Sequence, residues 1–341
     1  MILRQHFMYV IFAIIIVVNL DMQAQKIIDN STKMTSKLIQ PPYLKAGDTV
    51  AIVAPSGILK HREREIQQAV DLLKSWGLHS VVGKYVFKKA DHFAGTDAER
   101  CEDLQNALDN PSVSAIWCAR GGYGTVRILD DLDYTRFRKN PKWIIGYSDI
   151  TALHNQVHNE GFQSLHALMA VSLTKDLDDI KETVATFKSA IFGTPNNYTL
   201  KGSKYNRVGE ASGELVGGNL TILHTMLGSK ESIDTSGKIL FIEEIGEYKY
   251  HIDRMLQSMK RAGYFDNLSG LVVGDMSRMR KNTTLWGTSI EELIIDALQE
   301  YNFPIVFNMP AGHEKDNRAL ILGRVVDLKV KKDQSTLDFS E

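Results

Sequence analysis

The chain has 341 residues, of which 43% are hydrophobic and 24% charged, and its formal net charge is −1. That length allows two ordinary domains, the composition is globular, and the near-neutral balance offers no basic field for nucleic acid. Cys101 and Cys118, the only cysteines, supply neither a disulfide framework nor a metal-ligand pattern.

Arg4 precedes a nearly unbroken apolar run from Met8 to Leu20, and Met22-Gln23-Ala24 resembles a small-residue cleavage site. The run is short for a membrane span, which needs about 20 residues. Residues 1–24 are therefore expected to be a secretory signal peptide, with an uncleaved inner-membrane anchor as the alternative. Either would put the rest of the chain in the periplasm and confine membrane contact to this segment. No cysteine follows the run, which argues against a lipoprotein anchor. Residues 25–41 read as a polar linker ending at Pro41-Pro42.

From there strands and helices alternate. Thr49 to Ala54 is a continuous apolar strand, followed by a turn at Pro55-Ser56-Gly57. Ile66, Ala69, Leu73 and Trp76 keep helical spacing, and Gly77 closes that helix. Val81 to Val86 is a strand, and Leu104, Ala107 and Leu108 mark a helix. Ala115 to Cys118 is a strand that leads through Arg120-Gly121-Gly122-Tyr123-Gly124-Thr125 into a helix carrying Ile128 and Leu129. Trp143 to Gly146 is a strand, and the following helix runs from Leu153 to Glu160, with Gly161 at its end. A helix on Ile180, Val184, Phe187 and Ile191 closes at Gly193. This pitch specifies βαβ units around a parallel sheet, whose sites form at the carboxyl ends of the strands. Residues 42–193 are expected to form one α/β domain and 194–204 a linker. Residues 205–341 read as a mixed, β-rich α+β domain. Its strands are expected at Gly213–Val216, Lys238–Ile242, Gly270–Gly274, Pro304–Phe307 and Ala319–Val330, and its helices at Ile252–Met259 and Ile290–Tyr301.

Gly146-Tyr147-Ser148, at a strand-to-helix junction, is the core of a nucleophile elbow. The usual second glycine is replaced by Ile150, and Ser148 as a plain helix N-cap is the competing reading. An activated serine needs a base and a group that orients the base. Glu243 and Glu244 end an apolar strand where a carboxylate could orient an imidazole, although a solvated acidic loop has the same pattern. His313 follows Gly312 on a loop, either as the base or merely exposed. His154, on the elbow helix, reads as a packing residue. The glycines after Arg120 either form an anion nest or complete an oxyanion hole with the N–H of Asp149. They match neither nucleotide-loop pattern. Gly217-Gly218-Asn219-Leu220 reads as a turn, with or without its amide facing the cleft.

Taken in order, several stretches resemble the LD-carboxypeptidases, the serine peptidase group that includes the microcin C self-immunity proteins. They are Ala54-Pro55-Ser56-Gly57, the Arg120 to Gly124 loop, Gly146 to Thr151, Gly217 to Leu220, Glu243-Glu244 with Tyr250 to Arg254, and Gly312-His313. The resemblance spans about Pro42 to Leu328. It implies a flavodoxin-like N-terminal domain, a β-rich C-terminal domain, a homodimer and a Ser-Glu-His triad at Ser148, Glu243 and His313. Backbone N–H groups of Asp149 and Gly122 would form the oxyanion hole, and Arg120, Tyr123, His166 and Asn219 would meet substrate. Arg120 is a candidate carboxylate clamp, because a guanidinium matches a carboxylate bidentately, and an ion pair with a neighbouring acid is the competing reading. His166-Ala167-Leu168-Met169 departs from the family's His-Gly-Pro-Met in a loop expected to line the pocket. The reaction implied is metal-independent and cofactor-free removal of D-alanine from a murein tetrapeptide. The alternatives are a self-immunity hydrolase acting on a peptidyl-nucleotide antibiotic and a non-catalytic muropeptide-binding protein.

Overall fold

The structure, a computed structural model, describes residues 37–173, 176–194 and 196–339. The apolar run, its cleavage site and most of 25–41 lie outside them, as does Pro195. Five parallel strands open the fold: β1 (Thr49–Val53), β2 (His79–Val82), β3 (Val113–Cys118), β4 (Trp143–Gly146) and β5 (Ser164–His166). Their order, β2-β1-β3-β4-β5, is flavodoxin-like, and the strand order reverses between β1 and β3. β1 and β4 are buried almost throughout and β3 nearly so, because helices cover both faces of the sheet. These are α1 (Glu63–Ser75), α2 (Asp97–Asp109), α3 (Thr151–Asn159) and α4 (Lys181–Phe192). α1 buries Ile66, Ala69, Leu72 and Leu73. α2 starts at a reciprocal cap between Thr96 and Glu99. α4 ends where Gly193 turns left-handed at φ 85°.

The second half contributes β6 (Tyr198–Lys201), β7 (Gly209–Asn219), α5 (Leu220–Thr225), β8 (Ile239–Ile245), α6 (Lys249–Arg261), β9 (Gly270–Ser277), α7 (Ile290–Ala297), β10 (Ile305–Val306), β11 (Leu320–Leu322), β12 (Val325–Val330) and β13 (Gln334–Phe339). Seven of these strands form a mixed sheet in the order β10-β9-β8-β7-β12-β13-β6. β7 to β10 run parallel, and the β7, β12, β13, β6 pairings are antiparallel.

The structure differs from the sequence expectations at several elements. The second strand stops at Val82, because Gly83 turns the chain and its open side is filled by the Asp103 carboxylate. The helix expected through Ile128 and Leu129 is two 3-10 turns held by i→i+3 bonds. Part of the 194–204 bridge is a strand, β6. The single strand expected over Ala319–Val330 breaks at Gly323, whose φ is 84°. Upstream of that break β11 pairs antiparallel with β5 at the edge of the first sheet, and downstream β12 joins the second. The C-terminal half thus completes the N-terminal sheet. One hydrophobic core includes Trp117 and Leu165 from the first sheet and Leu215, Phe241 and Leu328 from the second. From Ile39 onward the chain forms one compact unit. Cys118 is buried and Cys101 half-buried, and burial pushes both free thiols up.

Candidate active site

Ser148 follows β4 with φ at 62°, a left-handed conformation that is unusual for a residue with a Cβ. Gly146 makes the bend possible. A Cβ there would come within 2.9 Å of Ile150, so the isoleucine that replaces the expected second glycine packs into the space this one leaves. His154, one turn into α3, fixes the same strand end. Its Nε2–H donates to the Gly146 carbonyl at 2.9 Å, and its Nδ1 accepts from Ser164 at 2.9 Å. Burial lowers this imidazole to about 4, so it stays neutral and keeps that tautomer.

The structure brings Ser148, His313 and Glu243 together from three parts of the chain. His313 Nε2 lies 3.1 Å from Ser148 Oγ, and His313 Nδ1 lies 2.7 Å from Glu243 Oε2. Glu243 is fully buried near the end of β8, where a register shift interrupts the ladder with β9 between Ile242 and Glu244. Burial pulls the His313 imidazole down, but the Glu243 hydrogen bond and charge outweigh it, with help from Glu244 and Asp275, and hold it above its ordinary range. Glu244 points elsewhere. It accepts from Asn219 Nδ2 at 3.2 Å, Thr221 N at 2.7 Å and its neighbour Ile245 N at 2.8 Å. It therefore secures the start of α5, and its burial pushes its carboxyl up.

The His313 loop is held from two sides. Gly312, at φ 142°, donates its N–H to Asn317 Oδ1 at 3.0 Å. Thr183 of α4 accepts from Asn317 N at 2.8 Å and donates to the Lys315 carbonyl at 3.0 Å. On the other side, Asp275 of β9 accepts from Glu314 N at 3.0 Å. Burial, with Glu243 and Glu314 nearby, pushes the Asp275 carboxyl up to about 6.

The glycine loop after β3 reaches the serine. A Cβ on Gly121 would stand 3.1 Å from Ser148 Cβ and 3.4 Å from the Asp149 nitrogen, so a side chain here would crowd the elbow. The Gly121 carbonyl accepts from Gly57 N at 3.1 Å, which ties in the turn after β1. Asp149 Oδ2 accepts from Thr125 N at 2.9 Å, which fixes the far end of the loop. Fully buried Arg100 binds the Pro55 and Gly124 carbonyls of both loops.

A cleft of about 640 Å³ opens over Ser148 and His313, and Arg120, Gly122, Tyr147, Leu168 and Met169 are among its walls. Arg62, Arg278 and Lys315 also line it, with Glu314 as the acid among its lining. The sequence reading missed those three cations. Each is an ordinary surface residue in the sequence, and only the fold draws them to one rim. Among the described residues no group of three His, Cys, Asp or Glu stands ready to hold a metal ion.

Three expected substrate contacts are placed differently. Asn219 is buried at the end of β7, not on an open turn. Its side-chain oxygen accepts from Ile222 N at 3.2 Å and its amide nitrogen donates to Glu244, so it caps α5 and is not among the residues lining the cleft. His166 is fully buried behind the wall, 5.8 Å from the Tyr147 ring and 5.0 Å from that of Phe241. Burial, with His154 and His313 nearby, keeps it well below its ordinary range and neutral. Its neighbours Leu168 and Met169 line the cleft in its place. Tyr123 is exposed, packed 5.9 Å from Phe93 outside the lining residues. Arg120 does line the cleft, but its guanidinium donates to the Ile58 carbonyl, and burial, with Arg62 nearby, pulls its pKa below the usual arginine range while it stays charged.

Two family models match this chain: the LD-carboxypeptidase N-terminal domain over residues 50–167 and the LD-carboxypeptidase C-terminal domain over residues 212–328. The probable murein peptide carboxypeptidase of Bacillus subtilis (strain 168) is 36% identical over 288 residues, covering 83% of this chain and 89% of that protein. The crystal structure of muramoyltetrapeptide carboxypeptidase from Oxalobacter formigenes superposes with a TM-score of 0.79 at 31% identity, covering 86% of this chain and 99% of that one. The microcin C7 self-immunity protein, in its inactive-mutant apo state, shares the fold with a TM-score of 0.78 at 23% identity, covering 89% of this chain and 99% of its own.

Proposed function

Since the chain belongs to the LD-carboxypeptidase family, we propose that it is a serine carboxypeptidase that cuts the L,D-peptide bond of murein tetrapeptides and releases the terminal D-alanine. The observation that carries this reading is the relay from Ser148 through His313 to Glu243, at 3.1 and 2.7 Å. In it, Ser148 Oγ attacks the scissile carbonyl while His313 Nε2 takes the hydroxyl proton. The carbonyl oxygen becomes an oxyanion beside the N–H groups of Asp149 and Gly122. Such donors contribute roughly 3–4 kcal/mol each in other hydrolases. The C–N bond then breaks, and His313 returns the proton to the leaving amine. Water enters with His313 again as base, and the acyl-enzyme is hydrolysed. Glu243 fixes the imidazole with Nδ1–H toward the carboxylate and stabilises the imidazolium that forms at each step.

The basic rim of Arg62, Arg120, Arg278 and Lys315 supports an anionic peptide as substrate. A non-catalytic binding role would leave no reason for a strained serine held against a buried histidine–carboxylate pair. The likeness to the self-immunity protein bears on fold. Incubating the purified chain with defined murein tetra- and pentapeptides, followed by mass spectrometry, tests the reading. Loss of one alanine residue from the tetrapeptide is expected, and an unchanged tetrapeptide would refute it.

The Arg4-led apolar run supports export as part of this proposal, with cleavage before Gln25. Sequencing the N-terminus of protein recovered from the periplasm checks this, and a full-length chain in the cytosol would refute it. A homodimer, expected from the resemblance, is checked by light scattering.

A further inference from the structure

Among the described residues five non-glycines have positive φ, and two of them, Ser148 at 62° and Arg278 at 49°, line the same cleft. A left-handed backbone is disfavoured for a residue with a Cβ and persists where the surroundings impose it, often at ligand clamps. The elbow accounts for Ser148. Arg278 lies one residue past the end of β9, beyond the Ile245–Ser277 rung of the β8–β9 ladder, and the elbow gives no reason for its conformation.

Its side chain is also the cation at this rim left without a partner. Arg120 donates to the Ile58 carbonyl, Arg62 pairs with Glu65 at 2.6 Å, and Lys315 pairs with Asp179 at 3.3 Å. Arg278 is exposed, and among the described residues it has no carboxylate within ion-pair distance and no hydrogen-bond acceptor. It shares the cleft lining with Tyr147 and Ser148.

The fold also sets the side of the serine on which Arg278 stands. β9 carries the His313 loop: Asp275 N donates to the Ala311 carbonyl at 2.9 Å, and Glu314 N donates to the Asp275 carboxylate. Arg278 is three residues further along, about 10 Å of extended chain. The leaving amine must sit beside His313 Nε2 to be protonated, so the leaving residue lies toward β9. Arg120 stands beside Gly57 and the glycine loop, and in sequence it lies away from the β9 segment that carries the His313 loop.

We propose that Arg278 holds the C-terminal carboxylate of the leaving residue, and that this contact makes the enzyme cut at the chain end. The assignment rests on the carboxypeptidase reading above, and it moves the clamp from Arg120, which the Ile58 carbonyl already engages, to the free guanidinium of Arg278. A bidentate guanidinium–carboxylate pair explains why the strained position carries arginine.

The test compares a tetrapeptide ending in a free carboxylate with the same peptide ending in an amide. For the free acid, Arg278→Ala is expected to raise KM about 10- to 100-fold with little change in kcat. For the amide, wild type already shows the weak KM and the substitution changes nothing further. Arg278→Lys should restore part of the acid preference. Arg278→Gly removes the same side chain and relieves the backbone, so it should match Arg278→Ala in KM while keeping a wild-type or higher Tm. Equal effects on acid and amide, or an unchanged KM, overturn the assignment. Should wild type turn over neither peptide, the carboxypeptidase reading fails by itself. Calorimetric titration of both peptides into Ser148→Ala then decides the role of Arg278. Tighter binding of the acid, lost in the Ser148→Ala/Arg278→Ala double variant, upholds it, and equal binding of acid and amide refutes it.

Discussion

Glu243 and Glu244 are adjacent, both buried, and differently employed. Alternation along a strand sends neighbouring side chains to opposite faces. One carboxylate faces His313 and the other the start of α5. Glu243→Gln should therefore cut kcat/KM by orders of magnitude, and Glu244→Gln should chiefly lower Tm. The reverse ranking would move the relay by one residue. The same pair sets the pH dependence. His313 must be neutral to accept the serine proton, and the Glu243 charge holds it above its ordinary range. Activity should accordingly rise with pH through a midpoint above the usual 6.5 of histidine. In Glu243→Gln the carboxylate no longer offsets burial, so the residual activity should show that limb at lower pH. A limb that stays put would mean that another group sets it. The triad positions were legible in the sequence as an ordered set. The clamp was not, because Arg278 acquires meaning only from its backbone angle and the cleft it faces.

Most elements were legible where hydrophobic period and a glycine stop agreed, as in α1 with Gly77 and α4 with Gly193. They were missed where tertiary contacts decide the conformation. Gly217-Gly218-Asn219 has the composition of a turn, yet it is the last part of β7, with φ at 120° and 142° for the two glycines. A Cβ on Gly217 would stand 2.0 Å from the Phe241 carbonyl oxygen of β8, and one on Gly218 would meet Thr151 at 2.5 Å. The glycines thus let β7 lie against β8 and the elbow helix, and they deliver Asn219 to cap α5. Gly217→Ala combines a backbone clash with a disfavoured φ. It should destabilise the protein by about 3 kcal/mol or more, read as a lower midpoint in chemical denaturation. A midpoint equal to wild type would show that this reading of the strand end is wrong.

For the whole molecule, the sequence showed two pattern regimes but not how they are joined. β11 comes from the far end of the chain and completes the first sheet, a long-range pairing with no local signal. Because core residues of both sheets pack in one cluster, unfolding should be a single cooperative transition, and residues 42–193 expressed alone should not reach a native fold. Two separated calorimetric transitions would contradict this. The same joint brings Ser148, carried on the first sheet, to Glu243 on the second and to His313 on the loop that runs from β10 of the second sheet to β11 of the first. The most direct measurement is kcat/KM of Ser148→Ala on a defined murein tetrapeptide, with circular dichroism to confirm its fold. Loss of about 10⁴-fold or more in a folded protein is expected, and wild-type turnover by this variant would contradict a serine mechanism.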